Sequence, residues 1–300
     1  MTDTGWLWIV FTVLAAAGQT IRNATQRELT ATLGTTGATH VRFLFGAPFS
    51  VVFLIGLMLI TGASLPTPPP IFWVWIIDGM GAQIVATALM LAAMGERSFV
   101  VTIAYIKTEP IQVALFGLIF LGDALSIGMI AAILIATAGV VVMSLKPGGA
   151  TPSDSWRPTL LGLASGAMFA LSAVGYRGAI LSLDLSDYMM AATFTLVVGL
   201  LLQSVILTIY LMVRSPDVMR AIFKAWRPSL FAGFMGATAS QFWFLAFALA
   251  TAASVRTVAL VEVLFAQAIS SFIFGQKISG RESVGIVLIV IGVVLLIWAH

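Results

Sequence analysis

A chain of 300 residues that is 60% hydrophobic, 9% charged and has a mean hydropathy of +1.07 is excluded from the water-soluble globular class, whose surface takes about 25% charged residues. Its formal net charge of +3 comes from basic residues in a few short connections, which speaks to membrane orientation rather than to nucleic acid. The absence of cysteine excludes disulfides and thiolate metal centres.

A helix needs roughly 20 apolar residues to cross the hydrocarbon core. Reading breaks at Pro, Gly and charge clusters gives ten such stretches: Gly5–Ile21, Thr36–Ile60, Ile71–Ala93, Phe99–Leu121, Ile127–Leu145, Thr159–Tyr176, Asp187–Val213, Ser229–Ala250, Val255–Gly275 and Glu282–Ala299. Met1–Gly5 holds an acid and no basic run, so the first stretch is expected to stay as a helix rather than be cleaved as a signal. The stretches are continuously apolar rather than alternating, which argues for an all-α integral membrane protein and against a barrel. Most connections are short; the longest are 214–228 and 146–158, the latter at mid-chain.

Arg22, Arg27, Arg97, Lys146, Arg157, Arg214, Arg220, Lys224, Arg227, Lys277 and Arg281 fall on one side of a ten-helix arrangement. The positive-inside rule then places both termini in the periplasm. Trp6, Trp8, Trp73, Trp75, Trp156, Trp226 and Trp298 lie near stretch ends as interfacial anchors, whereas Trp243 lies deeper.

The chain also repeats itself. Leu121-Gly122-Asp123-Ala124-Leu125-Ser126 aligns with Phe274-Gly275-Gln276-Lys277-Ile278-Ser279 at an offset of 153 (275 − 122), which also carries Glu109 to Glu262 and Gly139 to Gly292. The organisation expected is a first five-helix repeat over 1–145, a linker over 146–158 and a second repeat over 159–300. Five helices is an odd number, so the second copy must insert upside down, the architecture of alternating-access carriers. A covalently joined inverted pair is complete as a monomer.

The run Glu109-Pro110-Ile111…Phe120-Leu121-Gly122-Asp123 followed by Gly139 resembles the Glu-Pro…Leu-Gly-Glu…Gly pattern of the EamA-type drug/metabolite transporter superfamily. Glu262-Val263…Phe274-Gly275-Gln276…Gly292 resembles its second copy, with Val263 in place of the proline and Asp123 and Gln276 in place of the acid after Leu-Gly. The narrower likeness is to the YddG-type exporters of aromatic and related amino acids. The resemblance implies ten helices, a substrate path between the halves and a multi-pass protein of the bacterial inner membrane. Its partners would be the lipid bilayer and a small-molecule solute, with no cofactor.

An ionisable side chain inside the membrane costs about 2.5–3.5 kcal/mol or more, so it should face a partner or a wet cavity. Glu109 is central to the fourth stretch, and Thr102, Tyr105, Glu109 and Gln112 recur at helical spacing on one face. That face reads either as a substrate wall, with Glu109 for an ammonium group, or as a structural salt bridge completed by Lys107, Arg42 or Arg256. Lys107 lies nearly opposite Glu109 around the helix and is expected to pair with another helix. Glu262, the repeat mate of Glu109, stands on a greasier face. Gln83, Gln241, and the stripes Gln19, Asn23 and Ser172, Tyr176 are further candidates to line the path. Tyr105 and Trp243 are candidates to stack on a planar solute, and for Trp243 ordinary packing is an alternative. Asp78 reads as a snorkelling charge, and His40 as a polar residue opening the second stretch. Gly128, Ala132 and Ala136, with Gly285 and Gly292, read as close-packing positions.

No metal cluster, nucleophile elbow or phosphate loop is present in the sequence, so a carrier is expected rather than an enzyme. Two carrier mechanisms remain: export of amino acids, leaning aromatic, and proton-coupled export of cationic drugs through a membrane Glu.

Overall fold

The computed structural model describes residues 5–96, 105–144, 157–274 and 279–299, and among these the structure is helix and connection, with no strand. In lipid a helix satisfies its own backbone, which is why continuous apolar runs take this form. Twelve helices are used below: α1 (Leu7–Leu44), α2 (Gly46–Thr61), α3 (Pro70–Glu96), α4 (Glu109–Phe116), α5 (Ile127–Ser144), α6 (Arg157–Ser182), α7 (Tyr188–Arg214), α8 (Pro216–Lys224), α9 (Trp226–Leu249), α10 (Ala252–Val258), α11 (Val261–Phe274) and α12 (Gly280–Ala299). By length and composition six segments are able to cross a membrane: Glu28–Thr61, Pro70–Met90, Thr159–Ser182, Tyr188–Arg214, Trp226–Leu249 and Gly280–Ala299. Leu7–Arg22, Glu109–Leu121 and Ile127–Met143 are shorter apolar helices.

The chain divides into two compact units. One comprises Met1–Ile84 and Gly175–Ala250, the other Val85–Val174 and Thr251–His300. Each unit takes its elements from both halves of the sequence, so a sequence half is not itself a packing unit.

In the first unit the connection expected over 22–35 is helical, and α1 runs through it to a break at Gly34 (φ 66°, ψ 177°). There the helix folds back on itself: Gln26 Nε2 donates to the carbonyl of Ala38 at 3.0 Å, a contact that a straight helix, rising about 1.5 Å per residue, would not permit. α1 packs along α9, and α7 packs on α2 and α9. The connection 214–228 also carries a helix, α8. Pro216 opens it, Asp217 lies in its first turn and Lys224 in its last, each where the helix dipole favours it. Its Met219 and Ile222 complete an apolar cluster with Leu29, Leu33, Ala38 and Val41. Asp187 caps α7 by accepting from the amides of Met189 and Met190.

In the second unit α5 and α12 pack at backbone contact distance. A Cβ on Gly139 would lie 2.8 Å from the Gly285 carbonyl oxygen, and one on Gly292 would lie 2.6 Å from Ala136. α4 ends in one π turn, Gly117–Leu121, stopped by Gly122 in the left-handed region (φ 69°). Asp123 then turns back, its amide donating to the Gly117 carbonyl at 3.1 Å.

Of the expected tryptophan anchors, Trp6, Trp73, Trp226 and Trp298 are exposed, but Trp8 is buried inside the protein at 2% exposure and is no interfacial anchor. Trp156 lies outside the described residues.

Candidate functional site

Proline cannot donate to the i−4 carbonyl and clashes with it, so Pro110 prevents a helix from running through Ile106 unbroken. The chain turns at Lys107–Thr108 and α4 starts afresh at Glu109. The α10–α11 segment turns likewise at Ala259–Leu260, without a proline, and α11 has Glu262 in its first turn. The two acids fall one repeat offset apart (262 − 109 = 153) and the turns before them 152 apart (259 − 107), and each acid stands at the positive N-terminal end of a half-helix, where the dipole stabilises it.

The partners are crossed. Glu109 Oε1 lies 3.0 Å from Nε of Arg256, which occupies the last turn of α10. Lys107 pairs with Glu262. All four groups belong to the second unit, and Lys107 lies within coulombic reach of both Glu109 and Arg256. The side chains keep only 10–14% of their surface exposed. The Arg256–Glu109 contact is one of charge rather than of hydrogen-bond alignment. Of the three cations the sequence offered Glu109, the structure uses Arg256, and Lys107 reaches another helix as its spacing required.

Around this cluster α6 presents glycines. A Cβ on Gly162 would meet the Tyr105 ring, and one on Gly166 would meet Gln112 Oε1 and the Ile106 carbonyl at 3.3 Å each. The Gln112 Oε1 atom is buried and accepts no hydrogen bond among the described residues. Ser172, also on α6 in this unit, is buried at 1% exposure.

The first unit holds a separate amide network. Gln83 Oε1 accepts from Tyr176 Oη at 3.0 Å and from Gln203 Nε2 at 2.9 Å, while Gln203 Nε2 also donates to the Met80 carbonyl at 3.2 Å. Tyr176 leans on Phe244 with ring centroids 4.7 Å apart. α3 and α6 approach closely here because Gly79 faces Gly175. Gln203 was not singled out from sequence, although a lone amide inside an apolar run is the signal that marked Gln83. Trp243 Nε1 donates to Gln19 Oε1 at 3.2 Å and its ring stacks on Phe247. Gln241 Nε2 donates to Thr193 Oγ1 at 2.8 Å.

Arg42, expected as a structural charge, is buried beside the Phe43 ring and converges with the buried Arg22 on Gly236. Arg22, expected from sequence in a connection, is thus a core residue. Asp78 is exposed, with its carboxylate against Gly175. His40 is fully buried, not a helix-end residue, and its Nε2 lies 3.0 Å from Thr208 Oγ1. Arg177 donates to the carbonyls of Phe247 and Ala250 and so closes the C-terminus of α9. Thr102 and the Asn23 side chain lie outside the described residues.

Residues 156–298, just under half of the chain, match the model of the EamA-like transporter family. This match supports a place in the drug/metabolite transporter superfamily and, with the apolar helices, the class of multi-pass membrane transporters of small solutes. A crystal structure of another protein is similar to this chain with a TM-score of 0.74, covering 98% of this chain and 96% of its own, at 15% identity. That likeness is one of fold. No curated protein matches the chain in sequence.

Proposed function

We propose that the chain is a bacterial inner-membrane carrier that exports amino acids, leaning aromatic, by alternating access of two inverted five-helix repeats spanning the bilayer ten times. The observation that carries this reading is the crossed ion pairing at two broken helices related by the repeat offset. Discontinuous helices with half-helix termini are how carriers build polar sites in hydrocarbon. The family match covers 156–298, nearly the span taken here as the second repeat. Both membrane glutamates hold cations, so neither stands as an open carboxylate for proton and drug exchange, which favours amino-acid export over the cationic-drug alternative. The aromatic lean draws on Trp243, Phe247, Tyr176 and Phe244 of the first unit.

The test is uptake of labelled Phe, Trp, Thr and a quaternary ammonium dye into liposomes containing the purified protein, with and without a pH gradient. Amino-acid flux indifferent to the gradient is expected. Gradient-driven dye flux without amino-acid flux would replace this reading with the drug/proton antiporter.

A further inference from the structure

α8 joins α7 and α9, two helices long and apolar enough to cross a membrane, so it lies at a face of the bilayer. Its two sides differ. Met219 and Ile222 enter the apolar cluster with Leu29, Leu33, Ala38 and Val41, which fixes the rotation of the helix. The other side then presents Arg220 and Lys224, one turn apart and exposed. Arg214 ends α7 and Arg227 stands in the first turn of α9, both exposed. Residues 214–227 thus hold four cations and one acid, Asp217, a net +3 (4 − 1) that equals the net charge of the whole chain.

Within the protein these charges stay uncompensated. Arg214 and Lys224 have no ion-pair partner among the described residues, and Glu28, exposed beside Leu29 on α1, pairs with none of the four. The Arg220–Asp217 pair is 80% and 90% exposed, where an ion pair is weak and open to exchange. Exposed apolar side chains are interleaved with the cations: Met212, Val213, Phe223, Trp226 and Phe231. Water suits the charges alone and hydrocarbon the apolar groups alone, whereas the headgroup layer suits both. The Arg227 guanidinium lies 5.4 Å from the centre of the Trp226 ring, which keeps one cation beside one anchor.

We infer that α8, with Arg214 and Arg227, is a docking site for acidic phospholipids, its cations meeting headgroup phosphates while Phe223 and Trp226 enter the acyl boundary. The inference needs the chain to sit in a bilayer and is independent of the solute it carries.

The experiment titrates the purified full-length protein, in neutral detergent, with phosphatidylglycerol, with zwitterionic phosphatidylcholine and with inorganic phosphate, and reads the thermal unfolding midpoint. Because α8 packs on α1 through the buried cluster, a lipid held there should raise the midpoint. Phosphatidylglycerol should act at roughly tenfold or more lower concentration than phosphatidylcholine. The preference should shrink at about 1 M salt, where the Debye length is about 3 Å. Lys224→Gln/Arg227→Gln removes only exposed side chains, so it should fold as before and lose the preference. Arg157→Gln/Arg281→Gln, which removes two exposed cations of the second unit, should keep it. Equal response to the two lipids, or a preference that survives Lys224→Gln/Arg227→Gln, would overturn the inference. Equal loss in Arg157→Gln/Arg281→Gln would overturn it too, by showing attraction to net charge rather than to α8. Inorganic phosphate as effective as phosphatidylglycerol would replace the lipid site with one for free anions.

Discussion

At the scale of the residue, the pairing of Glu109 with Arg256 governs both stability and chemistry. Removing one member of a nearly buried pair strands the other, which costs about 3–5 kcal/mol, whereas removing both costs much less than the two single losses added together. Thermal unfolding of Glu109→Gln, Arg256→Gln and the double variant should therefore give a large positive coupling; additive losses would contradict the pairing. Tyr176→Phe should cost about 1 kcal/mol by deleting one bond to Gln83, measured the same way. The sequence disclosed which side chains are too polar for lipid and, through the two-residue spacing of Lys107 and Glu109, that these two do not meet. It did not disclose which cation Glu109 meets. Helical spacing reports faces, while the choice among Arg42, Arg256 and others depends on which helices are neighbours. Arg22 was misread for a related reason, because a basic residue at the end of an apolar run looks alike whether the helix stops or continues.

At the scale of the element, glycine decides how near two helices come. Gly139 and Gly285 sit where any Cβ would penetrate the partner backbone, so Gly139→Ala should destabilise the protein by about 1–3 kcal/mol. Gly56 has nothing within 4 Å of its added Cβ, so Gly56→Ala in α2 should be neutral or slightly stabilising, and similar melting temperatures for the two variants would refute this packing. Gly122→Ala should cost about 1–2 kcal/mol through left-handed strain alone. Apolar runs located the long helices α3, α6, α7, α9 and α12, since length and hydropathy are local properties. Among the described residues, six segments rather than ten are long and apolar enough to cross a membrane. The continuation of α1 through 22–35 and the helix α8 escaped notice because polarity there was taken for connection. In α8, the Ser215-Pro216 start and the spacing of Met219 and Ile222 were the available signals. The turn at Lys107–Thr108 breaks the single fourth helix read from sequence, on which Tyr105 was expected to share one face with Glu109 and Gln112. Pro110 was the available signal, and the turn at Ala259–Leu260 had no such mark.

At the scale of the whole molecule, the sequence reads as two consecutive halves, while compactness groups Met1–Ile84 with Gly175–Ala250 and Val85–Val174 with Thr251–His300. A repeat is a record of similarity along the chain, and packing follows proximity, so the two divisions need not coincide. Orientation is open to direct measurement because the chain has no cysteine. With periplasmic termini, Ser64→Cys should react with a membrane-impermeant maleimide added to intact cells, and Lys224→Cys only after lysis. The reverse pattern would invert the topology.

The crossed pairs also set a timetable for synthesis. Glu109 leaves the ribosome roughly 150 residues before Arg256, which at about 5–20 residues per second is a delay of roughly 8–30 s. During that interval the nascent fourth segment holds an acid whose permanent counterion does not yet exist, and Lys107 waits equally for Glu262. A chain halted after Ala250 would contain every residue of the first unit and strand both charges of the second. Such a truncated product should be cleared by membrane quality-control proteases far faster than the complete chain, as a pulse-chase comparison would reveal.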